Sequence, residues 1–252
     1  MSAPVPIWVV SLARATERRA RISRAFADLG LDLELCDAVD GQAPAPVDVA
    51  EYSRWRSLYQ VGRRLSLGEI GCARSHLRLY QRMLDDDVDA VCIVEDDAEP
   101  SPELPAVLAD IDRLPPDWQV VNLHSTFASA GSQPYGDVML GPSSRLCTYR
   151  RKPYGTVCYL LRRSGAQRLV AVGAPVRLPA DELLFRRRPA GLITYGIEPS
   201  PVAHIGVPEG PDGFDSLVLP GAHETLDPST PAERVVAALG KVRRQVSTRA
   251  TR

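Results

Sequence analysis

Glu95, Asp96 and Asp97 follow directly on the apolar run Val91-Cys92-Ile93-Val94. Such a run reads as a strand buried on both faces. In open α/β sheets, ligands bind at the carboxyl ends of strands. Three adjacent carboxylates repel one another, so they need a cation or strong hydrogen-bond donors beside them. A hard divalent ion with oxygen ligands meets that need and can also hold a diphosphate. Residues i and i+2 of an extended segment point the same way. That spacing sets Glu95 and Asp97 toward an ion and Asp96 toward a sugar or ribose. Acids after a strand also cap helices, and that reading stays open. The run Asp85–Asp89 follows a helix instead and reads as a solvated loop.

The charge is organised in zones. Residues 85–112 hold eleven acids and no Lys or Arg, and residues 145–188 hold eleven bases against Asp181 and Glu182. Two such zones in one fold fit a site that joins a metal to an anionic ligand, or simply two solvated faces. The net charge of −1 argues against a general nucleic-acid binder. Of the 30 basic residues 28 are Arg, which suits bidentate contact with phosphates. Five cysteines without a C-x-x-C pair read as buried small hydrophobes in a reducing cytoplasm. No apolar run approaches the roughly 20 residues of a membrane span.

The elements that must position these residues alternate between strand and helix. Strands are expected at 7–10, 33–35, 90–94, 120–123, 156–161 and 192–197. Helices are expected at 16–29, with Thr16 as N-cap, and at 68–84, 102–114 and 164–173, the last capped by Ser164. Residues 42–65 read as an irregular lid and 124–153 as mostly loop. The pattern predicts an α/β fold with a mostly parallel central sheet flanked by helices. Domain 1–206 would carry the site. Residues 207–228 would form a Pro/Gly-rich loop, followed by a basic C-terminal helix or tail. Val235, Leu239, Val242 and Val246 share a face there, for packing on the domain or for peripheral membrane contact.

Several segments together resemble glycosyltransferase family 25, the lipopolysaccharide and collagen-galactosyltransferase family. They are Val10-Ser11-Leu12-Ala13-Arg14 with Glu17-Arg18-Arg19, Ala38-Val39-Asp40-Gly41, and the stretch from Leu67 through Glu69 and Arg74 to His76. Val94-Glu95-Asp96-Asp97-Ala98, Gly155-Thr156 with Tyr159, Gly165-Ala166 and Pro179-Ala180-Asp181 complete the set, which spans about residues 7–205. The resemblance implies a single-domain, GT-A-like (Rossmann-like) fold and a UDP-hexose donor, most often UDP-galactose. It further implies inversion at the anomeric carbon and a glycan or glycolipid acceptor, as in lipopolysaccharide or cell-surface polysaccharide assembly.

Carried onto these positions, the resemblance puts Mn2+ or Mg2+ on Glu95 and Asp97. His204 would be a late third ligand or a structural histidine. Donor contacts fall to Ser11, Leu12, Arg14, Arg18, Asp40, Gly68, Ser75, Asp96, Gly155 and Thr156. Asn122 and His124 would line the cleft at another strand end. Asp181 is the candidate general base and Glu182 its alternative, unless Asp181 caps the helix beginning there. His76 reads as structural, and Glu69 as compensation of a helix dipole. A metal-dependent nucleotidyltransferase or phosphohydrolase and a non-catalytic carbohydrate-binding module are the competing classes. The expected location is cytoplasmic, at the inner face of the membrane.

Overall fold

Ile7-Trp8-Val9-Val10 and Val91-Cys92-Ile93-Val94 offer water no polar face, so they are stable only when covered on both sides. The computed structural model describes residues 5–41, 51–124, 131–151, 153–186, 189–205 and 227–249. In chain order its first half comprises β1 (Ile7–Ser11), α1 (Thr16–Ala27), β2 (Glu34–Asp37), α2 (Arg54–Gln60), α3 (Leu67–Asp85), β3 (Ala90–Glu95), β4 (Ala98–Pro100), α4 (Leu104–Ala109) and β5 (Val120–Asn122). Then come β6 (Ser132–Leu140), β7 (Ser144–Tyr149), β8 (Cys158–Arg162), α5 (Arg163–Gly173), α6 (Ala180–Phe185), β9 (Thr194–Glu198), β10 (Val202–His204) and α7 (Pro231–Arg249).

The main sheet has the order β2-β1-β3-β8-β5-β9-β7-β6. Six of its eight strands run the same way, and β8 and β7 are inserted antiparallel. Alternation along β1 and β3 divides the core. Ile7, Val9, Cys92 and Val94 face Ile22 and Phe26 of α1 and Leu104 and Val107 of α4. Trp8, Val10, Val91 and Ile93 face α3, α5 and α6. Ile22 and Phe26 are fully buried, each contributing about 1.5–3 kcal/mol of apolar transfer. The fold is therefore α/β with helices on both sheet faces, as the sequence predicts.

Several local expectations are corrected. The stretch expected as loop contains the hairpin β6–β7. Its outer strand is exposed along most of its length and carries Pro134 and Gly136 with a register shift, so it lacks the apolar alternation that marks a strand. The helix expected at 102–114 breaks at Asp110, whose carboxylate accepts from Gly141 N at 2.8 Å, and a 3-10 turn at Ile111–Arg113 follows. Part of the expected lid is α2, anchored by buried Ser57 and Leu58. Thr16 and Ser164 lie just inside their helices; Ala15 and Arg162 hold the cap positions, without side-chain caps. The expectations for 42–50, 125–130 and 207–226 fall outside the described residues.

α3 begins as a capped helix. Ser66 Oγ accepts from Glu69 N at 3.1 Å, Glu69 Oε2 accepts from Ser66 N at 2.9 Å, and Arg63 grips the same carboxylate at 2.6 Å. Gly71 lets α3 press onto the β2 loop, where a Cβ would lie 2.7 Å from Val39 O. Ser75 ties the two by accepting from Val39 N at 2.8 Å.

Candidate functional site

Parallel pairing sets the carboxyl ends of β1 and β3 side by side, with Val10 opposite Glu95. β8 runs the other way, and Val94 faces Cys158, so the residues just before β8 reach the same edge. β5 ends there too, with Asn122 opposite Tyr159. Ser11, Glu95, Thr156 and Asn122 are thus brought together by topology. After β3 the chain turns into β4, which pairs with β10 and sets Ala98 opposite His204. Ile205 N donates to Asp97 O at 2.9 Å. That small ribbon carries His204 to the acids.

The three acids diverge. Glu95 Oε1 accepts from Thr156 Oγ1 at 2.5 Å and lies 3.2 Å from His76 Nε2. Asp96 Oδ2 accepts from Ser11 Oγ at 2.5 Å, and its Oδ1 meets Arg18 at 2.6 Å. Asp97 Oδ2 meets the same guanidinium at 2.9 Å and His204 Nε2 at 3.3 Å. The mutual repulsion of the acids is thus met partly by donors. Burial raises the Asp96 carboxyl despite Ser11 and Arg18. Burial pushes Asp97 up as well, but His204 and Arg18 outweigh it and hold it below the ordinary range. His204 is raised, chiefly by its hydrogen bond to Asp97. His124, 6.2 Å away ring to ring, is lowered by burial.

Two atoms remain open. Asp97 Oδ1 and His204 Nδ1 are buried without a hydrogen-bond partner. Buried polar atoms are rarely left so. Asp97 Oδ1, left free while His204 and Arg18 hold the other oxygen of the same carboxylate, fits one oxygen ligand of a divalent ion, whereas His204 Nδ1 points away from Asp97 because its Nε2 is the nitrogen directed at Oδ2. Among the described residues a different trio, Cys72, His76 and Glu95, has ligand atoms all within 4.8 Å of one another. Its hydrogen bonding is already closed between His76 and Glu95. The Cys72 thiol is pushed well up by burial and by the charges of Glu95, Asp181 and Asp97. A protonated thiol and an imidazole are poor partners for Mn2+ or Mg2+, which prefer oxygen.

Behind Glu95 runs a buried chain. His76 Nδ1 lies 2.7 Å from Tyr159 Oη, which lies 2.8 Å from Tyr80 Oη. A carboxylate only accepts, so His76 Nε2 donates to Glu95; in the neutral imidazole Nδ1 then accepts from Tyr159, which accepts from Tyr80. The structural reading of His76 undervalued this: it holds a site carboxylate. The available signal was the pair Cys72 and His76, one turn apart in the most specific motif. Arg19 and Arg21 were also missed. Arg19 Nη2 donates to Ser11 O at 2.6 Å and its Nε to Leu12 O at 3.1 Å, and Arg21 donates to Asp96 O.

The remaining candidates are dispersed. Arg14 pairs with Asp40 at 2.7 Å on the surface, 57% exposed. Gly68 lies in the first turn of α3, and Gly155 adopts φ +79°, a left-handed turn leading to Thr156. Asn122 Oδ1 accepts from His124 N at 3.3 Å, while its Nδ2 is buried without a partner. Asp181 and Glu182 occupy the first turn of α6, where Asp181 Oδ1 accepts from Glu182 N at 2.7 Å. Pro179 holds the N-cap position and no side chain caps the helix, so Asp181 does not take the capping alternative. The charges of Glu95, Asp181 and Asp97 all add to the raising of the Cys72 thiol.

Fold and site together define a helix-flanked α/β protein with three carboxylates, Arg18 and two histidines gathered at its sheet edge. Glycosyltransferase family 25 (LPS biosynthesis protein) matches residues 5–184, and the chain belongs to that family. It is 26% identical over 190 residues to procollagen galactosyltransferase 2 of Mus musculus, covering 71% of this chain and 29% of that protein. It is 27% identical over 189 residues to inactive glycosyltransferase 25 family member 3 of Homo sapiens, covering 71% and 31%. The chain spans about three-tenths of the length of the curated relatives it matches. A crystal structure of a glycosyltransferase involved in the glycosylation of the major capsid of PBCV-1 aligns with TM-score 0.39 and 12% identity, over 76% of this chain and 81% of that one.

Proposed function

We propose that this chain is an inverting glycosyltransferase. It moves a hexose, galactose first, from a UDP-sugar to a hydroxyl of a glycan or glycolipid acceptor, in lipopolysaccharide or cell-surface polysaccharide assembly. Family membership supports sugar transfer. One observation carries the site assignment: Asp97 Oδ1 and His204 Nδ1 are buried and unsatisfied where β4 pairs with β10.

Asp97 would hold Mn2+ or Mg2+ through Oδ1, with His204 holding the other oxygen of that carboxylate; Glu95 lies apart, engaged by Thr156 and His76. Bound there, the ion supplies positive charge for the departing nucleoside diphosphate. Arg18 adds its own positive charge at the same place. Asp96, oriented by Ser11 and Arg18, faces the donor sugar. Gly155 and Thr156 shape the donor wall, and Asn122 and His124 the acceptor side. Asp181 takes the proton of the acceptor hydroxyl as the new glycosidic bond forms, with Glu182 in the same turn as the alternative base. The protein acts in the cytoplasm, at the inner face of the membrane.

A screen of nucleotide-sugars for slow hydrolysis, with manganese present, tests this reading. UDP-galactose should be hydrolysed fastest, releasing free hexose and UDP. Release of inorganic phosphate or pyrophosphate would instead indicate a phosphohydrolase or nucleotidyltransferase. Binding of free glycan with no turnover of any donor would indicate a non-catalytic carbohydrate-binding module.

A further inference from the structure

α7 is attached by the side that a surface helix normally turns to water. At helical spacing Val235, Leu239 and Val242 form one stripe, and Glu233, Gly240 and Arg244 lie on the other side. An apolar stripe ordinarily faces the core. Here the opposite side packs. Glu233 is 1% exposed, and its carboxylate takes Arg64 at 2.6 Å, Ser229 N at 2.9 Å and Thr230 N at 3.2 Å. Gly240 lies against α2 so closely that a Cβ would run into the carbonyl of Tyr59. Arg244 Nη1 donates to that same carbonyl at 2.7 Å. Val235, Leu239 and Val242 are left 58%, 59% and 59% exposed.

The surrounding charge names the partner. Arg234, Lys241 and Arg243 flank the stripe, and neighbouring α2 adds Arg56, while its Arg54 is paired with Glu233 at 3.5 Å. Glu233 is the one acid in α7, and Arg64 already pairs with it. A second copy of this chain would set base against base. We infer that α7 docks the protein reversibly on an anionic lipid surface, with its apolar stripe at the headgroup boundary and its basic flanks on lipid phosphates. Arg186, just after α6, donates to Gln60 O at 3.4 Å, next to the Tyr59 carbonyl that takes Arg244. The docked helix therefore neighbours the one that carries Asp181. That this serves a lipid-linked acceptor rests on the proposed function; the docking itself does not.

The test is co-sedimentation of the full chain with phosphatidylcholine vesicles, with and without phosphatidylglycerol, in the absence of donor. Binding should require the anionic lipid and weaken as salt rises. Leu239→Asp with Val242→Asp should cut partitioning at least tenfold without changing helix content. Arg234→Glu with Lys241→Glu should weaken it about fivefold for each basic residue lost. Equal partitioning of wild type and both variants would overturn the inference. So would absence of wild-type binding to anionic vesicles at low salt, whether the stripe is covered by another segment of the chain or by a second copy. Vesicle binding by a chain that turns over no nucleotide-sugar in the separate donor screen would refute the proposed function and leave the docking intact.

Discussion

The direction of the buried chain Tyr80–Tyr159–His76–Glu95 makes a sign prediction. Tyr80, Tyr159 and His76 are each at most 1% exposed. Burial holds both phenols well above their ordinary value, so they remain donors throughout the working range. Tyr159→Phe removes the oxygen that accepts from Tyr80 and the proton given to His76 Nδ1, orphaning both. Each orphaned buried group costs about 1–3 kcal/mol, so the variant should lose about 2–6 kcal/mol. Tyr80→Phe leaves Tyr159 donating to His76 and should cost about 0.5–1.5 kcal/mol. In the double variant only His76 Nδ1 is orphaned, so the double should be more stable than Tyr159→Phe alone by about 1 kcal/mol or more. Urea unfolding of the four proteins reads this directly. A double variant less stable than Tyr159→Phe by the full cost of Tyr80→Phe would refute the linked chain.

Glu69 gives a pH prediction. Burial pushes its carboxyl up, but Arg63 and the Ser66 cap outweigh this and leave it below its ordinary value. A depressed folded value means stability fully present above the unfolded range near about 4.3 and lost as pH falls through the lower folded value. Glu69→Gln should melt below wild type at neutral pH, and the gap should close in acid; a gap constant across pH would contradict this. Gly71→Ala sets a Cβ against Val39 O and should cost about 1–3 kcal/mol in urea unfolding. Asp181→Asn should keep UDP binding and lose transfer by about a hundredfold or more, and unchanged turnover would move the base elsewhere.

The central strands were legible because both-face burial leaves a continuous apolar run, as in β1 and β3. The acids at the end of β3 were legible for the same reason. Hairpin β6–β7 was not, since exposed edge strands need no apolar alternation. Strand-end alternation predicted that Glu95 and Asp97 would share one side. The chain turns between β3 and β4, so Glu95 goes to His76 and Asp97 to His204. The pairing of β4 with β10 unites residues 97 and 204, and no local spacing encodes it. The polar docking of α7 was equally hidden, because its visible apolar stripe argues for the opposite face.

The central claim is a nucleotide held through an ion at Asp97, whose other carboxylate oxygen His204 holds. Calorimetric titration of UDP, with manganese and with chelator, tests it on wild type, Asp97→Ala and His204→Ala. Wild type should bind UDP in a manganese-dependent way. Asp97→Ala should lose most of that dependence while melting near wild type without ligand, and His204→Ala should weaken it. Unaltered manganese-dependent UDP affinity in Asp97→Ala would contradict the account.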